Sequence, residues 1–213
     1  MKSRILIVCA GVTAMSIFTN PADGQIPAVR IDSVLLARDI DGSGKKDYVV
    51  QESRAGDVPQ LRDSRIAVYL DADPGTHRPN WATEWGDKFE VEKTLDHSLQ
   101  MTRGAWLLDI QVAGSDYDGT SLLLVQRGSV REEISHGVDY GHGYLDIKQR
   151  GDTVLVEATL DNLKLRGKPL ALKTRCKASE WSAVELVFDE KRRGFFPDRT
   201  LCASPRYGGT TNP

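Results

Sequence analysis

The chain has 213 residues, of which 40% are hydrophobic and 27% charged, with a formal net charge of −2. That length suits a single hydrophobic core, which stays efficient up to about 250 residues, and the mix excludes collagen-like, coiled-coil and wholly disordered chains. With 28 Lys and Arg against 30 Asp and Glu, no basic field exists to hold a phosphate backbone by counterion release, so nucleic acid is not an expected partner.

Lys2 and Arg4 precede Ile5–Phe18, an apolar stretch that Asn20 and Pro21 break before the small residues of Ala22-Asp23-Gly24. This is the layout of a secretory leader over residues 1–24, shorter than the about 20 apolar residues a bilayer span requires. An exported chain, periplasmic or secreted, is therefore expected, with a single β domain over residues 25–202, a disordered tail over residues 203–213 and no membrane span after cleavage. Cys9 leaves with the leader. Cys176 and Cys202 remain, an even pair in an oxidising compartment, and are expected to form one disulfide.

The segment Asp39-Ile40-Asp41-Gly42-Ser43-Gly44-Lys45-Lys46-Asp47 sets side-chain oxygens at alternate loop positions, with glycine where a sharp turn is needed. A hard cation takes about six to eight oxygens, so Asp39, Asp41, Ser43 and Asp47, with the Lys45 carbonyl, are the expected calcium ligands. An EF-hand is excluded because Val50 stands where the closing bidentate Glu belongs, and Tyr48-Val49-Val50 reads as a strand. With all ligands on one loop, the ion is expected as a brace, since a catalytic metal keeps an open position.

After the loop come the strand Arg65-Ile66-Ala67-Val68-Tyr69-Leu70 and the turn Asp73-Pro74-Gly75-Thr76. Together, Val34 to Thr76 resembles the FG-GAP/VCBS repeat of integrin-type β-propeller blades. The resemblance implies calcium at Asp39, Asp41, Ser43 and Asp47 in a loop between strands. A degraded second copy is visible at Asp116-Tyr117-Asp118-Gly119-Thr120, without the last carboxylate. Since only one copy is convincing, a partial propeller or a sandwich is expected rather than a closed ring.

Further along, period-two alternation marks Ile66/Val68/Leu70, Leu108/Ile110/Val112, Val154/Val156/Ala158 and Val184/Leu186/Phe188 as strand faces. Leu145 and Ile147 share another face, and Leu122–Val125 is apolar throughout. Phe89–Met101 fits helix or strand. Arg150-Gly151-Asp152 and Arg166-Gly167-Lys168-Pro169 read as turns. The expected class is all-β with mostly antiparallel sheets.

Chemistry-bearing residues are sparse elsewhere. Trp81 and Trp85 suit either a core or a binding surface. Glu132, Glu133, His136, Asp139, Tyr140 and His142 crowd a glycine-rich segment read as a flexible loop, a place for partner contact or for zinc or acid–base chemistry. No complete phosphate loop and no GxSxG elbow occurs. The leading expectation is an exported, calcium-braced β module that binds another protein, in one form an inhibitor or immunity protein against a cell-wall hydrolase, with Glu132 to Tyr144 as its contact segment. The competing expectation is a secreted metal-assisted hydrolase built on His136, Asp139 and His142.

Overall fold

A strand that alternates apolar and polar residues buries one face, whereas a strand apolar at every position buries two. This chain combines both kinds. Its structure, a computed structural model, describes residues 28–55, 62–87, 95, 98–101, 105–113, 117–139 and 143–205. The expected leader and the end of the expected tail lie outside those residues, as does most of Phe89–Met101.

Among the described residues all regular structure is β. In chain order the strands are β1 (Arg30–Arg38), β2 (Asp47–Ala55), β3 (Arg62–Tyr69), β4 (Trp81–Ala82), β5 (Gly86–Asp87), β6 (Leu99–Gln100), β7 (Trp106–Ala113), β8 (Tyr117–Gln126), β9 (Ser129–Asp139), β10 (Leu145–Arg150), β11 (Thr153–Thr159), β12 (Leu163–Leu165), β13 (Lys168–Pro169), β14 (Trp181–Asp189) and β15 (Gly194–Ala203). They form three antiparallel sheets. The first follows the order β1-β2-β3-β4, with β5 also on β3; the middle sheet runs β13-β12-β9-β8-β7-β6; the third runs β10-β11-β14-β15.

The middle sheet is packed on both faces. Leu108, Ile110, Leu123 and Val125 cluster with Val49, Ile66, Val68 and Leu70 from the first sheet. Leu107, Leu122, Leu124 and Ile134 cluster with Val154, Val156, Ala158, Val184, Leu186 and Phe195 from the third. The run Leu122–Val125 thus sends successive side chains into opposite cores, which is why it carries no polar residue. Each fully buried aliphatic side chain contributes about 1.5–3 kcal/mol, so these two interfaces are the main source of stability.

One sequence expectation is corrected. Residues 132–139, part of the segment read as a flexible loop because of its glycines, belong to β9, with Gly137 opposite Gly119 in the ladder. A register shift opposite Leu122/Leu123 lets β9 carry one extra residue, so the pair Glu132-Glu133 hides the alternation that identifies a strand. Similarly, Tyr117–Thr120 of the second acidic segment is strand, not loop. β15 extends through Ala203, the first residue assigned to the tail.

Edges are protected in two ways. β1 is broken by register shifts and carries Arg30, Asp32 and Arg38, features that discourage pairing with another chain. β15 is held by the Cys176–Cys202 disulfide, which ties it to the connector between β13 and β14. Closing a loop with a sequence separation of 26 residues adds about 3.5 kcal/mol in the chain-entropy treatment.

Gly194 opens β15 beneath the ion pair of partly exposed Arg166 with buried Glu133. A Cβ there would lie 2.2 Å from Arg166 Nη2 and 2.8 Å from Glu133 Oε2. Gly194→Ala is therefore expected to cost about 1–3 kcal/mol by overpacking, read from the urea midpoint. Arg166→Ala should cost less in the Gly194→Ala background than in the native chain, because the clash partner is already displaced.

Candidate metal centre

The acidic loop links β1 to β2, and antiparallel pairing of Arg38 with Asp47 closes its neck. Gly42 and Gly44 adopt left-handed backbone, with φ of 81° and 85°, which only glycine takes without strain. The chain thereby folds back on itself and brings Asp39, Asp41 and Asp47 together, one carboxylate oxygen from each lying within 4.8 Å of the others. Asp41 and Asp47 are buried, at 3% and 0% exposure, while Asp39 is exposed.

Backbone amides hold all six oxygens of these carboxylates. Asp39 accepts from Gly42 N–H at 2.7 Å and Gly44 N–H at 2.9 Å. Asp41 accepts from Ser43 N–H at 2.8 Å and Gly128 N–H at 2.6 Å. Asp47 accepts from Ile40 and Asp41 N–H at 2.8 and 3.2 Å through one oxygen, and from Asp71 N–H at 2.8 Å through the other. A carboxylate oxygen has more than one acceptor direction, so the set remains chemically able to hold a cation. Burial pushes the Asp47 carboxyl above the usual carboxylate range and the Asp41 charge adds to that, while the amides of Ile40, Asp71 and Asp41 oppose it.

Of the expected ligands, the structure brings the three aspartates together. Ser43 turns its hydroxyl toward Asp71 as a donor and accepts Lys45 N–H at 3.2 Å, and the Lys45 ammonium stands 3.8 Å from Asp71. Asp71 was missed by sequence reasoning. The signal was present, since an acid directly after Leu70 must face the loop once β2 and β3 pair with Tyr48 opposite Tyr69.

Asp41 also reaches a different sheet. Its carbonyl accepts Arg127 N–H at 3.1 Å and its carboxylate holds Gly128 N–H, so the acidic loop is fastened to the β8–β9 turn of the middle sheet.

The second candidate group is divided by the pleat. Glu132 faces the first sheet and accepts a hydrogen bond from Ser121 Oγ at 2.7 Å. Its neighbour Glu133 is fully buried, paired with Arg131 and with Arg166 at 3.2 Å, and accepts Phe195 N–H at 3.1 Å. His136 points the other way, into the third sheet, with Nε2 2.9 Å from Thr159 Oγ1 and 2% exposure. Burial lowers its pKa, against opposing effects of Asp161 and Thr159. The side chain of Asp139, and Tyr140 and His142 entirely, lie outside what is described.

A cleft of about 590 Å³ opens between β4 and the far edge of the middle sheet, lined among others by Trp81, Thr83, Glu84, Ser121, Glu132 and Lys164. Trp81 serves two purposes there, since it also packs on the core between the first and middle sheets. The guanidinium groups of Arg54 and Arg65 lie 4.7 and 4.2 Å from the Trp85 ring centre, and Trp85 is not among the residues lining that cleft. The chain matches no known family model, no curated protein and no solved structure.

Two measurements test these placements. Asp41→Ala leaves the Ser43 and Gly128 amides without their acceptor and should cost about 0.5–1.5 kcal/mol, with hydrogen exchange at the Gly128 amide accelerated; Asp41→Asn, which keeps one carbonyl oxygen, should fall between. For His136 the folded pKa lies below that of the unfolded chain, so the unfolded state binds the proton more readily. Its contribution to stability is present above about pH 6.5 and declines as pH falls below it. The urea midpoint should drop between pH 7.5 and 5, and His136→Gln should flatten that slope.

Proposed function

We propose that this chain is an exported, calcium-braced β module that binds another protein outside the cytoplasm, in its most specific form an inhibitor or immunity protein against a cell-wall hydrolase. The observation that carries the reading is the position of the three aspartates. They sit at the joint where the β1–β2 loop is fastened to the β8–β9 turn, not on the wall of the large cleft. A cation there ties sheet to sheet, which is the work of a brace, whereas a catalytic metal needs an open coordination position facing substrate.

All donors are hard oxygens, which favours calcium over softer metals, and the resemblance of Val34–Thr76 to the FG-GAP/VCBS repeat supports the same ion. The leader-like N-terminus and the Cys176–Cys202 disulfide support export. The cleft beside Trp81, lined by Glu84, Glu132 and Lys164, is where a partner's side chain would be received. Burial of His136 against Thr159 weighs against a hydrolase that would use its imidazole.

The first test is the melting temperature of residues 25–213 with millimolar calcium, with magnesium and with chelator. Saturation at a hundred times Kd adds about 2.7 kcal/mol, or about 5–10 °C for a domain of this size. Calcium should give that rise, magnesium less, and the Asp39→Ala/Asp47→Ala double variant none. For the partner, purified chain should block clearing of cell-wall suspensions by one class of peptidoglycan hydrolase, and Glu132→Ala with Lys164→Ala should abolish the block. Clearing of the suspension by the chain alone would overturn the inhibitor reading in favour of the hydrolase.

A further inference from the structure

The three-sheet stack has a second concavity, distinct in chemistry from the cleft beside Trp81. It measures about 260 Å³ and is lined by Leu124, Gln126, Arg127, Ser129, Arg131 and Arg193. Half of its wall is arginine. Arg127 comes from the β8–β9 turn and Arg131 from β9 in the middle sheet, whereas Arg193 comes from the turn between β14 and β15 of the third. Arginines from two separate sheets therefore line one space, an arrangement that like charges disfavour unless something negative compensates it.

The compensation inside the protein is incomplete. Glu133 is the buried acid beside this group, and it is already shared between Arg131 and Arg166. Arg131 is further fixed by donating to the Arg193 carbonyl. Among the described residues neither the Arg127 nor the Arg193 guanidinium has a carboxylate partner, although the next residue along, Arg192, has one in Asp189 at 2.7 Å. The nearest acid of the metal loop, Asp41, spends its carboxylate on backbone amides.

Local backbone points in the same direction. Arg127 and Arg193 both adopt left-handed conformation, with φ of 49° and 50°, a region where Gly or Asn is the easy choice and arginine is not. Both turns place arginine where the reversal itself gains nothing from it, and both line one cavity. Strained positions of this kind collect at ligand sites.

We propose that Arg127, Arg131 and Arg193 form a binding site for a multiply charged oxyanion, a phosphate or sulfate group. Guanidinium forks match the tetrahedral oxygens with paired N–H donors, and the volume, below the about 300 Å³ of typical drug-sized sites, fits an anionic group better than a whole large ligand. This assignment is independent of the calcium reading, because the turn is held by Asp41 without any ion.

The experiment titrates the chain with inorganic phosphate, inorganic sulfate and glucose 6-phosphate in calcium-free chloride buffer at constant ionic strength, read by calorimetry and by the arginine side-chain NMR resonances. Saturable binding is expected, with shifts at the three arginines. Arg127→Ala and Arg193→Ala should each weaken it about tenfold or more, while Arg150→Ala, on the β10–β11 hairpin, should leave it unchanged. Circular dichroism of each variant verifies the fold. Tighter binding of glucose 6-phosphate than of phosphate assigns the site to a phosphoryl group on a larger molecule, and the reverse assigns it to the free ion. Non-saturable response to all three anions, or equal weakening by Arg150→Ala, overturns the proposal.

Discussion

Everything in this structure depends on a middle sheet that is apolar on both faces. A sheet of that kind has no solvent-tolerant side, so it must be covered twice, and the first and third sheets are the two covers. The consequence reaches down to single residues. Leu122 and Leu124 look into one core and Leu123 and Val125 into the other, so a polar substitution anywhere in that run would be buried. It also explains why His136, carried by the neighbouring strand, has its imidazole against Thr159 and not in water: a side chain at that register position has no exposed face available.

Covering a sheet is not the same as fixing its cover in place. Hydrophobic burial is non-directional and tolerates sliding, so registration between sheets calls for directional contacts, and the chain supplies them at two levels. Between the first and middle sheets, Asp41 offers a carbonyl to Arg127 N–H and a carboxylate to Gly128 N–H. Between the middle and third, Glu133 takes both arginines and the Phe195 amide, and Arg166 donates to the Phe195 carbonyl at 3.0 Å. In each case a buried carboxylate accepts an amide from the facing sheet, Gly128 N–H for Asp41 and Phe195 N–H for Glu133, beside donors from its own sheet, and such pairing is the condition under which burying charge is tolerated.

These two joints mark the boundary of what the sequence reveals. The strand faces around Ile66, Leu108, Val154 and Val184 were legible because period-two alternation reports burial directly, and the disulfide because only two cysteines follow residue 24. Clustering of Asp39, Asp41 and Asp47 was legible because two glycines between them force the loop to close. By contrast, β9 was obscured by the adjacent acids Glu132 and Glu133, one facing each side of a strand that carries an extra residue. Arg166 and Gly128 were not legible as partners of the joints, because their roles come from long-range pairing that no local pattern encodes. The arginine turns at Arg127 and Arg193 are conspicuous only once both are seen to face one space.

The β8–β9 turn carries consequences of both joints. Its amides are committed to Asp41, so a negative charge lies beside the turn yet is absorbed by backbone N–H groups, while the Arg127 side chain is left without a carboxylate of its own. The Asp41 carboxylate is given to the part-buried amides of Ser43 and Gly128 and not to the Arg127 guanidinium, whose exposed ion pair with it would add little. Satisfying the backbone first is thus what leaves a cation unneutralised on the surface. The same economy holds at the β14–β15 turn, where the Arg193 carbonyl receives Arg131 and its own guanidinium receives nothing among the described residues. The arginine-lined concavity accordingly lies where the middle sheet is joined to its two covers, at the accessible end of the contacts that hold them.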